Sequence, residues 1–143
     1  MDALHYKARI AKFLHAFRFL DKEIDNKNGT KSKKKYHKNQ STHAKTINRT
    51  FQQIQKYEKG TNGISAHTLF LLLKKEGYDI NLMFNGNPEE VLAKINKKYH
   101  KKILENFARV DKNIDEERKL QAKYRPMLPQ LERELAYQTT YKG

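Results

Sequence analysis

The sequence predicts an all-α fold, with a domain of short helices over residues 1–86 and a helical extension over residues 87–143. Three observations carry that prediction. Apolar residues recur at helical steps near the start of the chain and again from Leu92 to Ile114. Between these stretches, Asn39, Thr50, Ser65 and Asp79 each stand just before a helix-forming run, and Gly60 and Gly77 close two of them. Finally, Asn87-Pro88-Glu89-Glu90 puts a cap, a proline at the first helical position and two acids on the positive end of a helix dipole.

Taken in chain order, residues 3–20 form the first predicted helix. Ile10, Leu14 and Phe17 lie on one stripe, with Phe13 and Leu20 beside it and Asp2 as N-cap. The turn formers Asn26-Lys27-Asn28-Gly29 end that element. Residues 26–38 have no apolar periodicity and are predicted to be a basic loop. Short helices follow at Gln40–Ile47, Phe51–Glu58, Ala66–Lys75 and Ile80–Phe84. From Asn87 a single long helix is expected, about 40 Å long if it runs to Ile114 at 1.5 Å per residue. It can continue to Tyr124, before Pro126 and Pro129 interrupt it. A last short helix is expected around Leu131 and Leu135.

Composition narrows the function. The formal charge is +14, which points to a polyanionic partner. Its distribution is more informative than its size. Lys and Arg outnumber Asp and Glu by fifteen to five over residues 1–60, are matched two to two over 61–87, and lead thirteen to nine over 88–143. Between Asp25 and Glu58 there is no acidic residue and there are nine Lys or Arg. A one-sided excess of this kind has the character of a binding face. The absence of cysteine excludes disulfides, thiolate catalysis and cysteine-ligated zinc. The first residues lack the layout of a secretory signal, and no apolar run approaches the length of a membrane span, so a cytoplasmic, nucleoid-associated protein is expected.

The stretch Asn39–Phe84 resembles the phage-repressor and Cro type of helix-turn-helix, the lambda-repressor-like or XRE-like family. The likeness rests on NQSTHAKTINRTFQQIQKYEKG followed by ISAHTLFLLLKKEGYDINLMF. Gln40 stands where the family opens its second helix, and Ala44 where two helices cross closely. Ile47 and Ile54 stand at buried aliphatic positions, and Asn48 at the turn. Asn tolerates the left-handed conformation that such a turn needs. Thr50 caps the next helix, and Tyr57-Glu58-Lys59-Gly60 is similar to the family's helix-ending motif. Ile10, Ala11, Leu14, Phe17 and Arg18 resemble the family's first helix, although the link from Arg18 to Gln40 is much longer than usual.

The resemblance implies a five-helix DNA-binding domain, double-stranded DNA as partner and a transcriptional regulator, more often a repressor. It places the helix 51–57 in the major groove, where its opening residues meet base edges. The base-reading set is then Phe51, Gln52, Gln53 and Lys56. A Gln amide both donates and accepts, so it can pair bidentately with adenine, and Phe51 can lie on a thymine methyl. The phosphate-binding set is Gln40, Arg49, Thr50 and Lys59, joined by Lys33, Lys34, Lys35 and Lys38 of the basic loop. Tyr57 and Glu58 are expected to be structural, and Phe51 has packing against the first helix as its other reading.

The stripe Leu92, Ile95, Tyr99, Ile103, Phe107, Val110 and Ile114 has two readings. It folds back on its own domain, or it forms a homodimer that would address two half-sites; the second is the expectation. Two other function classes stay open. One is an antitoxin-like protein that holds a protein partner through its C-terminal helices and DNA through its helix-turn-helix. The other is a sequence-neutral nucleic-acid binder. The six histidines form no zinc-hydrolase spacing, and there is no phosphate-binding glycine loop or nucleophile elbow, so no enzyme, metal or cofactor is expected.

Overall fold

The computed structural model describes residues 2–25, 28, 29, 31–35 and 38–124, with the backbone alone for 21–25 and 31–35. The expected helix around Leu131 and Leu135, and the residues Tyr36 and His37, lie outside the described residues. The described chain is helical apart from one hairpin. Helix α1 (Ala3–Phe17) leads into strands β1 (Asp21–Asp25) and β2 (Lys31–Lys35). Helices α2 (Gln40–Thr46), α3 (Phe51–Lys59), α4 (Ala66–Glu76) and α5 (Ile80–Asn85) follow. Two 3-10 segments, Pro88–Lys94 and Lys97–Tyr99, then precede the long helix α6 (His100–Tyr124).

The caps are largely those that local chemistry dictates. Asp2 accepts from the His5 amide, Asn39 from that of Thr42, and Asp79 from those of Asn81 and Leu82. Each satisfies amides that the first turn leaves orphaned. Ser65 precedes α4 but its hydroxyl donates to Thr68 Oγ1 at 2.7 Å instead of capping the helix.

Two expected elements differ. The basic segment taken for a loop contributes a strand, β2, which pairs antiparallel with β1. The register sets Asp21, Glu23 and Asp25 opposite Lys35, Lys33 and Lys31. A pairing in that register leaves no trace in an apolar-periodicity reading. Helix α1 stops at Phe17, well before the turn formers expected to end it; Gly29, with φ +80°, lies between the two strands instead. The long helix expected from Asn87 starts only at His100. Pro88 opens a 3-10 segment, and Ile95 is extended and bridges to Leu20. That bridge needs a strand-like backbone at Ile95, which ends any helix there.

A single main core gathers Phe13, Leu14 and Phe17 of α1, Phe19 beyond it, Ile54 of α3, Leu69, Leu72 and Leu73 of α4, and Met83 of α5. Val91, Ile95, Ile103 and Phe107 belong to the same core, so the boundary expected between residues 86 and 87 does not divide it. A smaller cluster joins Leu4, Ala8 and Ala11 to Val110 and Ile114. Helix α6 therefore lies antiparallel along α1. Lys12–Asp111 at 2.8 Å, Lys7–Glu117 at 2.9 Å and the Asp2–Arg118 pair mark successive levels of that contact.

This packing corrects the dimerisation expectation. Ile95, Ile103, Phe107, Val110 and Ile114 are buried within their own chain, and Leu92 and Tyr99 are partly buried against the same core. Helical periodicity marks an apolar face without saying what covers it. A partner face on the same chain has the advantage of high effective concentration. No helix among the described residues is long and apolar enough to cross a membrane.

Candidate nucleic-acid interface

Helices α2 and α3 are joined by a short turn at Ile47–Thr50. Asn48 has φ +51°, the only positive value outside glycine among the described residues. Asn can adopt it at small cost, which explains its presence at the turn. Thr50 then caps α3 reciprocally with Gln53. The Thr50 hydroxyl accepts from the Gln53 amide at 3.2 Å, while Gln53 Oε1 accepts from the Thr50 amide at 3.0 Å. Such a box satisfies two orphan donors and fixes where the helix begins.

Ile54 and Glu58 turn α3 toward the core, each 2% exposed or less. Ala44 and Ile47 of the preceding segment are buried beside them. The opposite face of α3 is left to solvent. Phe51 is 42% exposed, and Gln52, Gln53 and Lys56 are exposed. The packing of Phe51 under α1 is therefore not what the structure has. Gln53, however, has its carbonyl oxygen engaged in the cap, which makes it first a capping residue. Gln52 and Lys56 are the polar side chains that α3 presents without that commitment.

The expected phosphate contacts divide. Arg49 and Thr50 are exposed at the turn, and Lys59 is half-buried at the end of α3. Gln40 and Lys38 face inward. Gln40 Nε2 donates to Glu58 Oε1 at 3.1 Å. Lys38 pairs with Glu76, both side chains close to nine-tenths buried, and its ammonium sits 5.0 Å from the Tyr78 ring centroid. A lysine held this way has its charge compensated internally, so Lys38 and Gln40 leave the phosphate set. Lys33 and Lys35 stand on β2 in register with Glu23 and Asp21, while Lys34 is in register with Lys22.

The structure adds a buried polar centre that the sequence did not disclose. Arg18 clamps Glu58 with two bonds of 2.8 Å, from Nε to Oε2 and from Nη2 to Oε1. His15 Nδ1 lies 3.0 Å from Oε1. An ionised carboxylate only accepts, so His15 carries a proton on Nδ1. That excludes a bond to the same nitrogen from Arg18 Nη2, 3.2 Å away. Burial by itself would raise the Glu58 pKa. The His15 hydrogen bond and the charge and hydrogen bonds of Arg18 outweigh it and hold the carboxyl below its ordinary value. Glu58 thus ties α1, α2 and α3 together. The structural expectation for Glu58 agrees with this placement; the resemblance marked Arg18 without its partner and His15 had no signal, since Glu58 lies some forty residues away in sequence.

His43, on α2, is 1% exposed, and its Nε2 lies 2.7 Å from the Tyr78 hydroxyl. Burial pushes its pKa down from 6.5 to about 4, with Glu58 and Glu76 opposing and Arg18 and Lys38 assisting. The unfolded chain therefore takes up the His43 proton more readily than the folded one. The stability that a neutral His43 contributes is complete above pH 6.5 and is lost as the pH falls toward 4, amounting to about 3–4 kcal/mol at 1.4 kcal/mol per unit. Urea midpoints across that range are expected to fall with acid, and His43→Gln is expected to flatten the slope. An equally steep loss in the variant would assign the transition to another group.

Among the described residues, no group of three or more His, Asp or Glu side chains is placed to hold a metal ion. No protein-family model matches the chain, and no curated protein and no solved structure matches it.

Proposed function

We propose that the protein is a sequence-specific DNA-binding regulator, most simply a repressor, built on a lambda-repressor-like arrangement of α1–α5 and acting on the nucleoid. The observation that carries this reading is the exposed opening of α3. Phe51, Gln52 and Lys56 stand on a helix whose start is capped and whose base is held by Ile54 and Glu58. A helix presented in that way is dimensioned for the major groove, where Gln52 can read a base edge and Lys56 can reach guanine or a phosphate. Arg49 and Thr50 flank it at the turn, and the charge of +14 supplies the non-specific attraction. The stripe that had suggested a second copy or a protein partner is internal, which removes the main support for the antitoxin-like reading.

Selection of bound sites from random duplexes, at a stated salt concentration, tests the proposal. A recurrent motif is the expected outcome. Gln52→Ala is then expected to weaken binding to that motif by about 1–3 kcal/mol and to leave non-specific affinity nearly unchanged. Enrichment of no motif, together with a steep salt dependence, would favour the sequence-neutral binder instead.

A further inference from the structure

Both ends of helix α3 are marked in its own sequence, but its finish draws on more than that. Its start is fixed by the Thr50–Gln53 box. At its finish, Gly60 takes the left-handed conformation, its amide reaching the Tyr57 carbonyl and that of Thr61 the Lys56 carbonyl; the other carbonyls of the last turn need donors from elsewhere. Two of them find donors on α6. Asn106 Nδ2 donates to the Glu58 carbonyl at 3.1 Å, and Asn113 Nδ2 donates to the Lys59 carbonyl at 2.9 Å. The two carboxamides are two turns apart on one face of α6, about 10 Å along its axis.

Val110 lies between them, fully buried against the same end of α3. A Cβ on Gly60 would come within 3.3 Å of Val110 Cγ1, and Gly60 has φ +73°. Residues 58, 59 and 60 are therefore each met by α6. Apolar packing alone would hold α6 on α1, as the cluster of Leu4, Ala8, Val110 and Ile114 already does. The paired asparagines add direction, since each hydrogen bond constrains where a particular carbonyl sits. Because the exposed residues of α3 are at the opposite end, a pivot at Lys59 carries any slack to Phe51 and Gln52.

We infer that α6, which lies beyond the five-helix part of the fold, braces α3 from its C-terminal end, and that Asn106 and Asn113 are positioning residues for what α3 reads. The inference rests on the DNA-binding reading for its consequence, but the brace itself does not. Both asparagines are half-buried; Asn113 is the better site for a variant, because Asn106 Oδ1 is itself buried with no hydrogen-bond partner.

The test uses the full chain, with Asn113→Ala and the amide-retaining Asn113→Gln. Amide hydrogen exchange is followed at Glu58, Lys59 and Gly60, with α4 as internal reference. Binding is measured to the selected duplex and to an unrelated one. In Asn113→Ala, exchange at the end of α3 is expected to rise roughly three- to tenfold, and the ratio of specific to non-specific affinity to fall by a similar factor. Thermal stability and α4 exchange should move little, and Asn113→Gln should recover part of both losses. Unchanged exchange at the end of α3 overturns the brace. Faster exchange with an unchanged affinity ratio overturns the positioning role. A wild-type protein that binds no duplex would remove the regulator reading, and the exchange arm would still decide whether α6 braces α3.

Discussion

Glu58→Ala is expected to be among the most damaging single substitutions in this protein, costing about 3–5 kcal/mol of folding stability. The reason is the asymmetry between an ion pair and its remnants. Arg18 is 5% exposed, and both of its carboxylate bonds come from Glu58. Removing the carboxylate leaves a guanidinium charge in the interior. It also strands the Nδ1 proton of His15 and the Gln40 amide, which donate to the same side chain. Removing both charges is a different matter. Arg18→Met with Glu58→Leu replaces the pair by apolar groups, and most of the loss is expected to be recovered, because no charge then has to be buried unpaired. Urea denaturation of the two single variants and the double variant measures this directly. A loss under about 1 kcal/mol in Glu58→Ala would mean that solvent reaches the pair. The pair also bears on acid stability. The Glu58 pKa is depressed in the fold, so its contribution is present above the ordinary carboxylate value and is lost as pH falls through the lowered one. That window opens at 4.5, within the lower end of the His43 window, and extends below it, so the two are separated by their variants.

Phe107→Ala is the second large effect, expected at about 3–5 kcal/mol. Phe107 is 3% exposed and belongs to the main core with Phe13, Phe17 and Ile54. Lys12 Nζ sits 5.7 Å from its ring centroid, and the adjoining Asn106 reaches α3. Truncation leaves a cavity that α1 and α6 cannot close without moving against each other. The same substitution separates the two uses of the apolar stripe. Burial within one chain makes the loss independent of protein concentration. A stripe used between two copies would instead give a melting temperature that rises with concentration, and a variant that dissociates while its first domain stays folded. The second pattern would contradict the packing of α6 on α1.

Much of the framework was legible because it is local. A cap needs an oxygen at one position and an amide two or three residues on, so Asp2, Asn39, Thr50 and Asp79 marked their helices without any knowledge of the fold. Asn48 marked its turn for a similar reason, since a left-handed residue between two short helices is a property of one position. The exposed set Phe51, Gln52 and Lys56 followed from the cap and from Ile54. Gln53 has two uses: Thr50-x-x-Gln53 has the spacing of a capping box, and in the fold its Oε1 accepts from the Thr50 amide. The hairpin has no signal of that kind: Asp21–Asp25 and Lys31–Lys35 lack the alternating apolarity on which strand reading relies.

By itself the sequence determined where α1 to α5 start, which faces are apolar, how positive charge is distributed and which residues head α3. All of these depend on neighbours within a few positions or on simple sums over the chain. Tertiary structure decided what each apolar or polar group meets. It sent the α6 stripe onto α1, turned Lys38 to Glu76 and Gln40 to Glu58, and gave the end of α3 its donors from Asn106 and Asn113. Those pairings join residues that are distant in sequence, and spacing along a chain carries no information about which of several suitable partners the folded chain brings within 3 Å.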